Sequence, residues 1–339
     1  MILAGDIGAT HTRLGLFVVA RGKLVTVREE TFPSGGSASL ERIVERFLAR
    51  GGEKPRRAAI GVAGPVTGGR SEVVNLAWAV DGRRLARRLG LPEVVVLNDL
   101  EATAWGIGEL PRRGLADLTP RVRARPGNAA LIAAGTGLGM AVLAWDGRRH
   151  RPAPAEGGHQ GFAPRDEVEI GLLREGLRRW GRLSLDRIVC GAGLLEIYRF
   201  LSGDRGAMPR PPAVPGPDDP NAAVADAGLR GSDPIAERAV ERFLSLYGAA
   251  AGDLALAVGA VGGVYVGGGI APKLLPKIRD GAFLEAFRSK GRLTAYMERI
   301  PVRILLEPRA ALLGAAARAA RGFPRPLPSA PRGRTEVSR

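Results

Sequence analysis

The sequence has little of several residue types, and cysteine is the scarcest of them. A single cysteine, Cys190, stands among 339 residues, and only 5% of the chain is aromatic. One cysteine forms no internal disulfide and supplies no multi-cysteine zinc site, so nothing in the chain requires an oxidising compartment. The few aromatic residues do not alternate with basic ones, as they do on surfaces that stack nucleic-acid bases. These shortages exclude a disulfide scaffold and count against a single-strand nucleic-acid platform.

Acidic residues are outnumbered by basic ones. The 34 Asp and Glu residues face 50 Lys and Arg residues, which gives a formal net charge of +16. Of the basic residues 45 are Arg and five are Lys, and the chain has one Gln and four Asn. We interpret this pattern as a composition bias over the whole surface, although the charge alone leaves a nucleic-acid or membrane partner open. The globular composition and the length favour two domains of about 100–200 residues each.

One uncharged stretch has nearly the length of a membrane span. It contains 19 residues, from Leu254 to Pro272. Its six glycines and its β-branched residues are more typical of a buried helix that is followed by a turn, a short strand and a glycine loop. The first six residues carry no basic leader and reach a carboxylate at Asp6, which is unlike a signal peptide. We therefore predict a cytoplasmic protein without a membrane partner.

Short apolar runs and helical periodicities alternate along the chain. The first third predicts the order β-β-β-α-β-α-β-α, which fits a mixed sheet covered by helices. A second unit begins near Asn128, where residues 129–134 and 140–145 flank a Gly/Thr turn, as residues 2–6 and 13–20 do at the start. This echo suggests a duplicated fold with a cleft between its halves. The remaining predictions are a long helix from Asp233-Pro234, an Ala/Leu helix over 308–321, a Pro-rich surface segment over 208–220 and a disordered tail over 323–339.

Three glycine loops adjoin the ends of predicted strands. They are Gly8-Ala9-Thr10, Gly135-Thr136-Gly137 and Gly267-Gly268-Gly269. Turns without Cβ atoms expose consecutive backbone N–H groups that can hold a phosphate, and a threonine hydroxyl adds a donor. Asp6, at the end of the first strand, is suited to hold Mg²⁺, through water because Mg²⁺ keeps much of its hydration shell. Each loop alone is also typical of a plain β-turn, and neither the Rossmann nor the Walker glycine motif is present.

Two further groups of polar residues have the chemistry of a catalytic site. Asn98-Asp99 follows an apolar strand, where ligands of α/β sheets bind. A carboxylate there can take a proton from an alcohol while the amide orients that substrate, but the same pair is also typical of a helix N-cap. Glu156 and His159 flank two glycines, so a polyhydroxylated ligand can approach them closely. Such a pair is more often structural, and no third ligand nearby favours a metal.

Together these segments make the sequence similar to the bacterial ATP-dependent glucokinases, within the actin/hexokinase/Hsp70-type ATPase superfamily. The similarity extends from Leu3 to about Arg318. The segments that carry it are the first phosphate loop (3–10), the catalytic segment (96–104), the second phosphate loop (134–139), the sugar-binding signature (156–165) and the nucleotide-side loop (266–273). The sugar-binding signature is the most specific of these.

The resemblance implies a two-domain actin-like (ribonuclease H-like) α/β fold, with the active-site cleft between the domains. A small domain over 1–108 would be completed by a C-terminal helix over 308–322, and residues 109–307 would form the large domain. Glucose and ATP are the implied ligands, with Mg²⁺ as the cofactor of ATP. A homodimer is implied as well, and no nucleic acid.

The resemblance also implies residue roles. Asp99 would be the general base for the 6-hydroxyl of the sugar, and the nucleotide would lie against the three glycine loops. The other implied sugar-binding residues are Asn98, Glu156, His159 and Asp186. Asp186 departs from the family, which usually has Glu there; being one methylene shorter, it implies a bridging water or a lower affinity. Ala9 stands where Gly is usual, which requires a negative φ.

Three alternatives stay open on the sequence. A broader hexose or amino-sugar kinase would use the same residues. A non-catalytic, sugar-responsive regulator predicts a helix-turn-helix, for which the first core strand at Ile2 leaves no room. A filament-forming or chaperone-like ATPase gives no reason for the Glu156–His159 segment.

Overall fold

The computed structural model describes residues 1–52, 54–73, 76–203 and 219–321. The predicted tail 323–339 and residues 208–218 of the predicted Pro-rich segment lie outside the described residues. The strands in chain order are β1 (Ile2–Ile7), β2 (His11–Ala20), β3 (Lys23–Pro33), β4 (Arg57–Val62), β5 (Arg70–Glu72), β6 (Ala79–Asp81), β7 (Val95–Asn98), β8 (Leu115–Asp117), β9 (Ala129–Ala134), β10 (Leu138–Trp145), β11 (His150–Ala155), β12 (Gly263–Gly267) and β13 (Val302–Leu305).

Helices cover both main sheets. In chain order they are α1 (Leu40–Ala49), α2 (Gly82–Leu89), α3 (Asp99–Gly106), α4 (Glu167–Trp180), α5 (Leu185–Ile188), α6 (Gly191–Ser202), α7 (Pro220–Arg230), α8 (Pro234–Val258), α9 (Ile270–Lys273), α10 (Leu275–Arg279), α11 (Ala282–Arg288), α12 (Thr294–Met297) and α13 (Ala310–Ala320). Short 3₁₀ helices lie at Ile107–Glu109, Arg112–Gly114, Gly157–His159 and Gly291–Leu293.

The first sheet has the strand order β3-β2-β1-β4-β7. β1 pairs antiparallel with β2, while β1, β4 and β7 run parallel. Ile7 lies beside Val62, and Val62 lies beside Asn98. Because parallel strands end at the same edge, the residues that follow β1 and β7 lie near each other at the carboxyl edge of this sheet.

The second sheet repeats that arrangement, with the order β11-β10-β9-β12-β13-β8. β9 pairs antiparallel with β10 and parallel with β12, and Gly267 lies beside Ala133. The Gly/Thr turn between β9 and β10 and the glycine loop after β12 therefore lie at one edge. The repeat predicted from the two Gly/Thr turns is present as two sheets with the same core order.

Local sequence signals explain most element ends. Ser39 caps α1 by accepting a hydrogen bond from Arg42 N, and Asp233 caps α8 from the position before Pro234. The uncharged stretch after Leu254 divides, as predicted, into the end of α8, a turn, β12 and a glycine loop. Among the described residues, no helix is long and apolar enough to cross a membrane.

Several elements were not predicted, among them β11, the β5–β6 pair and α7. β11 contains Pro152 and Pro154 and lies at the edge of the second sheet, where a residue without an N–H costs no ladder bond. β5 and β6 form a separate two-stranded sheet. Pro220, which was assigned to the Pro-rich surface segment, is instead the first residue of α7, whose N-cap is Asp219.

Helix α13 returns to the first sheet, where it packs against β1, β4 and α3. The two helices meet at glycines. A Cβ on Gly106 would lie 2.0 Å from Ala310 O, and one on Gly314 would lie 1.7 Å from Ala102 O. Only glycine permits this backbone contact, so α13 is held against α3 at close range. The core of the second sheet forms around α8 and is separate from the core of the first sheet.

Candidate active site

Two carboxylates lie at the carboxyl edge of the first sheet. Asp6 lies in β1, opposite Arg13 of β2. Burial raises the pKa of Asp6, and the charge of Arg13 opposes that effect. Burial also raises the pKa of Asp99 to about 6, and the negative charge of Asp6 adds to the rise. A carboxylate with a pKa near neutrality can accept a proton and release it again, as a general base must.

Asn98 and Asp99 lie at the start of α3. The Asn98 Oδ1 atom accepts hydrogen bonds from Leu100 N at 2.9 Å and Glu101 N at 3.4 Å, so Asn98 is the N-cap. Its Nδ2 donates to Gly64 O at 3.1 Å. Asp99 is the first residue of the helix, and its Oδ1 also accepts from Leu100 N at 2.9 Å. The cap interpretation is thus correct for Asn98, and it leaves Asp99 as the carboxylate beyond the strand.

The first glycine turn, between β1 and β2, is held from one side by Ser34. The Ser34 hydroxyl donates to Gly8 O at 2.7 Å, and Ser34 N donates to Thr10 O at 2.9 Å. The hydroxyl of Thr12 lies 2.9 Å from that of Ser34, and both side chains are buried. Ala9 lies exposed in the turn and does not have a positive φ. The backbone of Ala9 is therefore unstrained. It meets the requirement, stated from the sequence, that φ be negative at this position.

The second glycine turn, between β9 and β10, is held by the segment around α5. Leu138 N donates to the Asp186 Oδ1 atom at 2.7 Å. Gly191 N donates to Gly135 O at 2.9 Å. A Cβ on Gly137 would lie 2.6 Å from Asp186 Oδ1, so the carboxylate occupies the space beside the turn. Thr136 is exposed.

The third glycine loop, after β12, lies against the second. Gly268 has a φ of +79°, and a Cβ there would lie 2.1 Å from Ala134 O. The hydroxyl of Tyr247, in α8, joins the two loops. It accepts from Ala134 N at 3.0 Å and lies 3.1 Å from Gly267 O, and the side chain is fully buried.

Glu156 and His159 lie at the ends of the segment that follows β11. Their side chains are 72% and 64% exposed, and Glu156 Oε2 lies 4.0 Å from His159 Nε2. The two glycines between them contact β10. A Cβ on Gly158 would lie 1.9 Å from Leu138 O. The segment therefore presents two exposed polar side chains on a backbone that is packed against the second turn.

The first residues of β10 contact the start of α3, which joins the edge of the second sheet to that of the first. A Cβ on Gly139 would lie 2.7 Å from Leu100 Cδ2, so the residue after Asp99 packs directly on the second turn. The structure thus places Asp6, Asn98 and Asp99 at one edge and the second and third loops, Glu156, His159 and Asp186 at the other. Leu100 and Gly139 form one of the contacts between them.

Sequence reasoning missed two residues that hold the loops. Ser34 lies just after β3, and Tyr247 lies in the middle of α8. Both are fully buried and both bond to loop backbone. Their local sequence gives no signal, because their partners lie 26 and 113 residues away.

The site fits magnesium only in a limited way. Asp6 supplies a carboxylate oxygen, the ligand type that Mg²⁺ prefers. No group of three or more His, Cys, Asp or Glu side chains able to hold a metal occurs in the part of the chain that the structure describes. This donor set suits an ion that keeps its waters and also binds substrate phosphates.

Solved structures share this architecture. A glucokinase from an Antarctic psychrotroph superposes with a TM-score of 0.83 at 28% identity, covering 94% of this chain and 98% of that one. A ROK family glucokinase from Streptomyces griseus, solved with glucose and AMPPNP, superposes with a TM-score of 0.60 at 25% identity, covering 95% of this chain and 99% of that one. The fold is the mixed α/β fold of actin-like ATPases, and with its site it defines an ATP-dependent sugar kinase.

Sequence comparisons give the particular family. The glucokinase family model matches residues 3–322. The glucokinase of Trichormus variabilis is 38% identical, with 95% of this chain and 99% of that protein covered. The chain belongs to the glucokinase family.

Proposed function

We propose that this protein transfers the γ-phosphoryl group of ATP to the 6-hydroxyl of glucose, giving glucose 6-phosphate and ADP. The observation that carries the proposal is the position of Asp99. It follows a parallel strand at the sheet edge, its pKa is raised to about 6, and the next residue packs on the second glycine turn. A base of this strength is largely ionised at neutral pH and can accept a hydroxyl proton as the new P–O bond forms.

The sugar lies, in this proposal, between Asp99 and the segment from Glu156 to His159. Asn98, Glu156 and His159 hydrogen-bond the remaining hydroxyls. The exposure of Glu156 and His159 supports this assignment, because both side chains are available to a ligand. The Oδ1 and Nδ2 atoms of Asn98 bond to backbone, so the amide is already oriented before the sugar arrives.

The nucleotide lies against the three glycine loops. Support comes from exposed residues in each loop: Ala9 and Thr10, Thr136, and Gly268 and Gly269. Asp6 would hold Mg²⁺ through water, and the ion would offset the negative charge of the phosphates. Backbone N–H groups of the turns stabilise the charge on the transferred group, which the glycines allow to approach closely.

The two halves of the site are proposed to belong to two domains. Residues 1–108 with the helix at 308–322 form the small domain, and residues 109–307 form the large one. The packing of α13 on β1 and β4 supports this division. Closure of the cleft between the domains would exclude water, which otherwise competes with the sugar as phosphoryl acceptor.

Assembly and location are proposed from the family resemblance. The protein would be a homodimer in the cytoplasm, acting in glycolysis. Light scattering coupled to size-exclusion chromatography tests the assembly, with a mass of twice 35.7 kDa expected.

A coupled assay of ADP release tests the reaction. We expect ADP formation that depends on glucose and is much slower with water as the only acceptor. Mannose and glucosamine in place of glucose measure how broad the acceptor range is, and polyphosphate in place of ATP tests the donor. Hydrolysis that is independent of sugar would contradict the proposal, and so would a lack of turnover with every hexose.

A further inference from the structure

The segment that follows His159 pairs with the segment that leads into α5. Phe162 N donates a hydrogen bond to Leu183 O at 3.0 Å. Leu185 N donates to Gln160 O, also at 3.0 Å. The side chains of Phe162 and Leu183 are buried. These bonds fix the backbone of the sugar-binding signature from the residue after His159 onwards.

Helix α4 brings the two segments together. Asp166 caps its start, directly after the sugar-binding signature. Gly181 caps its end with a φ of +69°, a left-handed conformation that ends a helix and redirects the chain. Arg182 is the next residue. The local sequence therefore places a long basic side chain where the chain returns to the signature.

The guanidinium of Arg182 bonds the backbone of His159. Its Nη2 donates to His159 O at 2.6 Å, and both residues are exposed. On the other side of the same residue, His159 N donates to Glu156 O at 3.1 Å, which closes the short 3₁₀ helix. A hydrogen bond from a charged donor is stronger than one between neutral groups. The backbone from which the imidazole extends is thus bonded at both its N–H and its carbonyl.

We propose that Arg182 is a positioning residue for the sugar. It holds the carbonyl of His159, so the imidazole already faces the place of a sugar hydroxyl before the sugar binds, and less free energy is lost in ordering the segment. This inference rests on the proposed function, in which His159 bonds the sugar. Arg182 itself does not touch the sugar and acts through His159.

Binding of glucose alone is the first test. In calorimetric titration, Arg182→Ala should raise the dissociation constant for glucose about fivefold or more, because the bond to His159 O is lost. Arg182→Lys keeps the charge and one donor, so its loss should be less than about threefold. Arg182→Met, which keeps the apolar stem, should behave as Arg182→Ala does and replaces it if that variant is unstable.

Arg178→Ala is the matched control. It also removes one exposed arginine, four residues earlier, whose guanidinium bonds Glu175 within α4. It should leave the affinity for glucose within about twofold of the wild type. A loss as large as that of Arg182→Ala would show that the net charge of this surface, and not the bond to His159, affects the sugar.

Steady-state kinetics distinguish positioning from a general structural role. Arg182→Ala should raise KM for glucose, while kcat and KM for ATP should stay within about twofold, because Asp99 and the glycine loops keep their contacts. The midpoint of thermal unfolding should match that of Arg178→Ala, since both side chains are exposed. A fall in kcat and in the affinities for both substrates would contradict the proposal.

A double-mutant cycle with His159 tests the route of the effect. In the His159→Ala background, the Arg182→Ala substitution should weaken glucose binding less than about twofold, since no imidazole is left to position. An equal cost in both backgrounds would mean that Arg182 acts on the sugar without His159, and the proposal would be overturned.

Failure of this inference and failure of the proposed function have different signatures. The inference alone fails if His159→Ala weakens glucose binding tenfold while Arg182→Ala binds glucose as the wild type does. The proposed sugar site fails if His159→Ala itself keeps the wild-type affinity for glucose. The proposed reaction fails if the wild-type protein forms no ADP with any hexose.

Discussion

The two main sheets have the same core order but hold their glycine turns in different ways. The turn of the first sheet is bonded by Ser34, a single residue that follows β3. The turn of the second sheet is bonded by Asp186 and Gly191, and Tyr247 bonds the end of β9 and the loop after β12. At the first edge burial raises the pKa values of two carboxylates, Asp6 and Asp99. Two sheets with the same backbone arrangement thus differ in their side chains: the first edge carries two carboxylates with raised pKa values, and the second carries loops that more residues bond.

The largest effect should come from the base at the first edge. Asp99→Asn removes the proton acceptor while keeping the size of the side chain, so kcat should fall about 10²-fold or more. Glucose binding, measured by calorimetric titration, should stay close to that of the wild type. If Asp99→Asn kept near wild-type turnover, Asp99 would not be the base, and the proposed difference between the two edges would be wrong.

The pH dependence of the reaction should follow the titration of Asp99. Asp99, with its pKa raised to about 6, is protonated below that pH and then cannot accept the hydroxyl proton. We expect kcat/KM for glucose to be level above pH 7 and to fall about tenfold per unit below pH 6. Asp186→Asn, which alters only the second edge, should keep the same acidic limb. A profile that stays flat to pH 5 would contradict the assignment.

Removal of the buried Tyr247 hydroxyl should have a smaller effect than removal of the Asp99 carboxylate. Tyr247→Phe leaves Ala134 N and Gly267 O without this partner, which should lower the free energy of unfolding by about 1–3 kcal/mol. We also expect KM for ATP to rise more than kcat falls, because both second-edge loops lose a bond. The control is Tyr198→Phe, which removes a hydroxyl that bonds Asp233, away from the loops. Equal KM values for ATP in the two variants would show that the second edge does not need this bond.

Ser34→Ala should have the smallest effect. It removes the side-chain bond to Gly8 O but keeps the bond from Ser34 N to Thr10 O. The loss of one neutral hydrogen bond should raise KM for ATP about fivefold. The control is Ser202→Ala, which removes an exposed hydroxyl bonded to Arg199 O and should leave KM for ATP unchanged. A larger rise for Ser34→Ala than for Tyr247→Phe would reverse the ranking of the two edges.

Sequence patterns predicted the parts of the fold that depend on local signals. The two strand–turn–strand units, the start of the long helix at Asp233-Pro234 and the division of the stretch after Leu254 all follow from residues close to one another in the chain. The membership in the glucokinase family was also correct, because its motifs are short and contiguous. The roles of Asp99, Glu156 and His159 stay predictions.

Long-range contacts could not be predicted in this way. The bond from Leu138 to Asp186 spans 48 residues, and the bond from Ala134 to Tyr247 spans 113. The local sequence around Asp186 and around Tyr247 looks like that of an ordinary helical position. β11 was missed for another reason: its prolines argue against a strand, and only its place at the edge of the sheet makes them acceptable.

The close packing of α13 against α3 has a consequence for the order in which the chain folds. Every described strand of the second sheet lies in the chain between Gly106 and Gly314, yet one face of the first sheet is buried only by α13. While the ribosome makes the middle of the chain, Ile2, Ala4 and Phe17 therefore lack their final covering. We therefore expect one face of the first sheet to stay uncovered until α13 has been synthesised and packs on it.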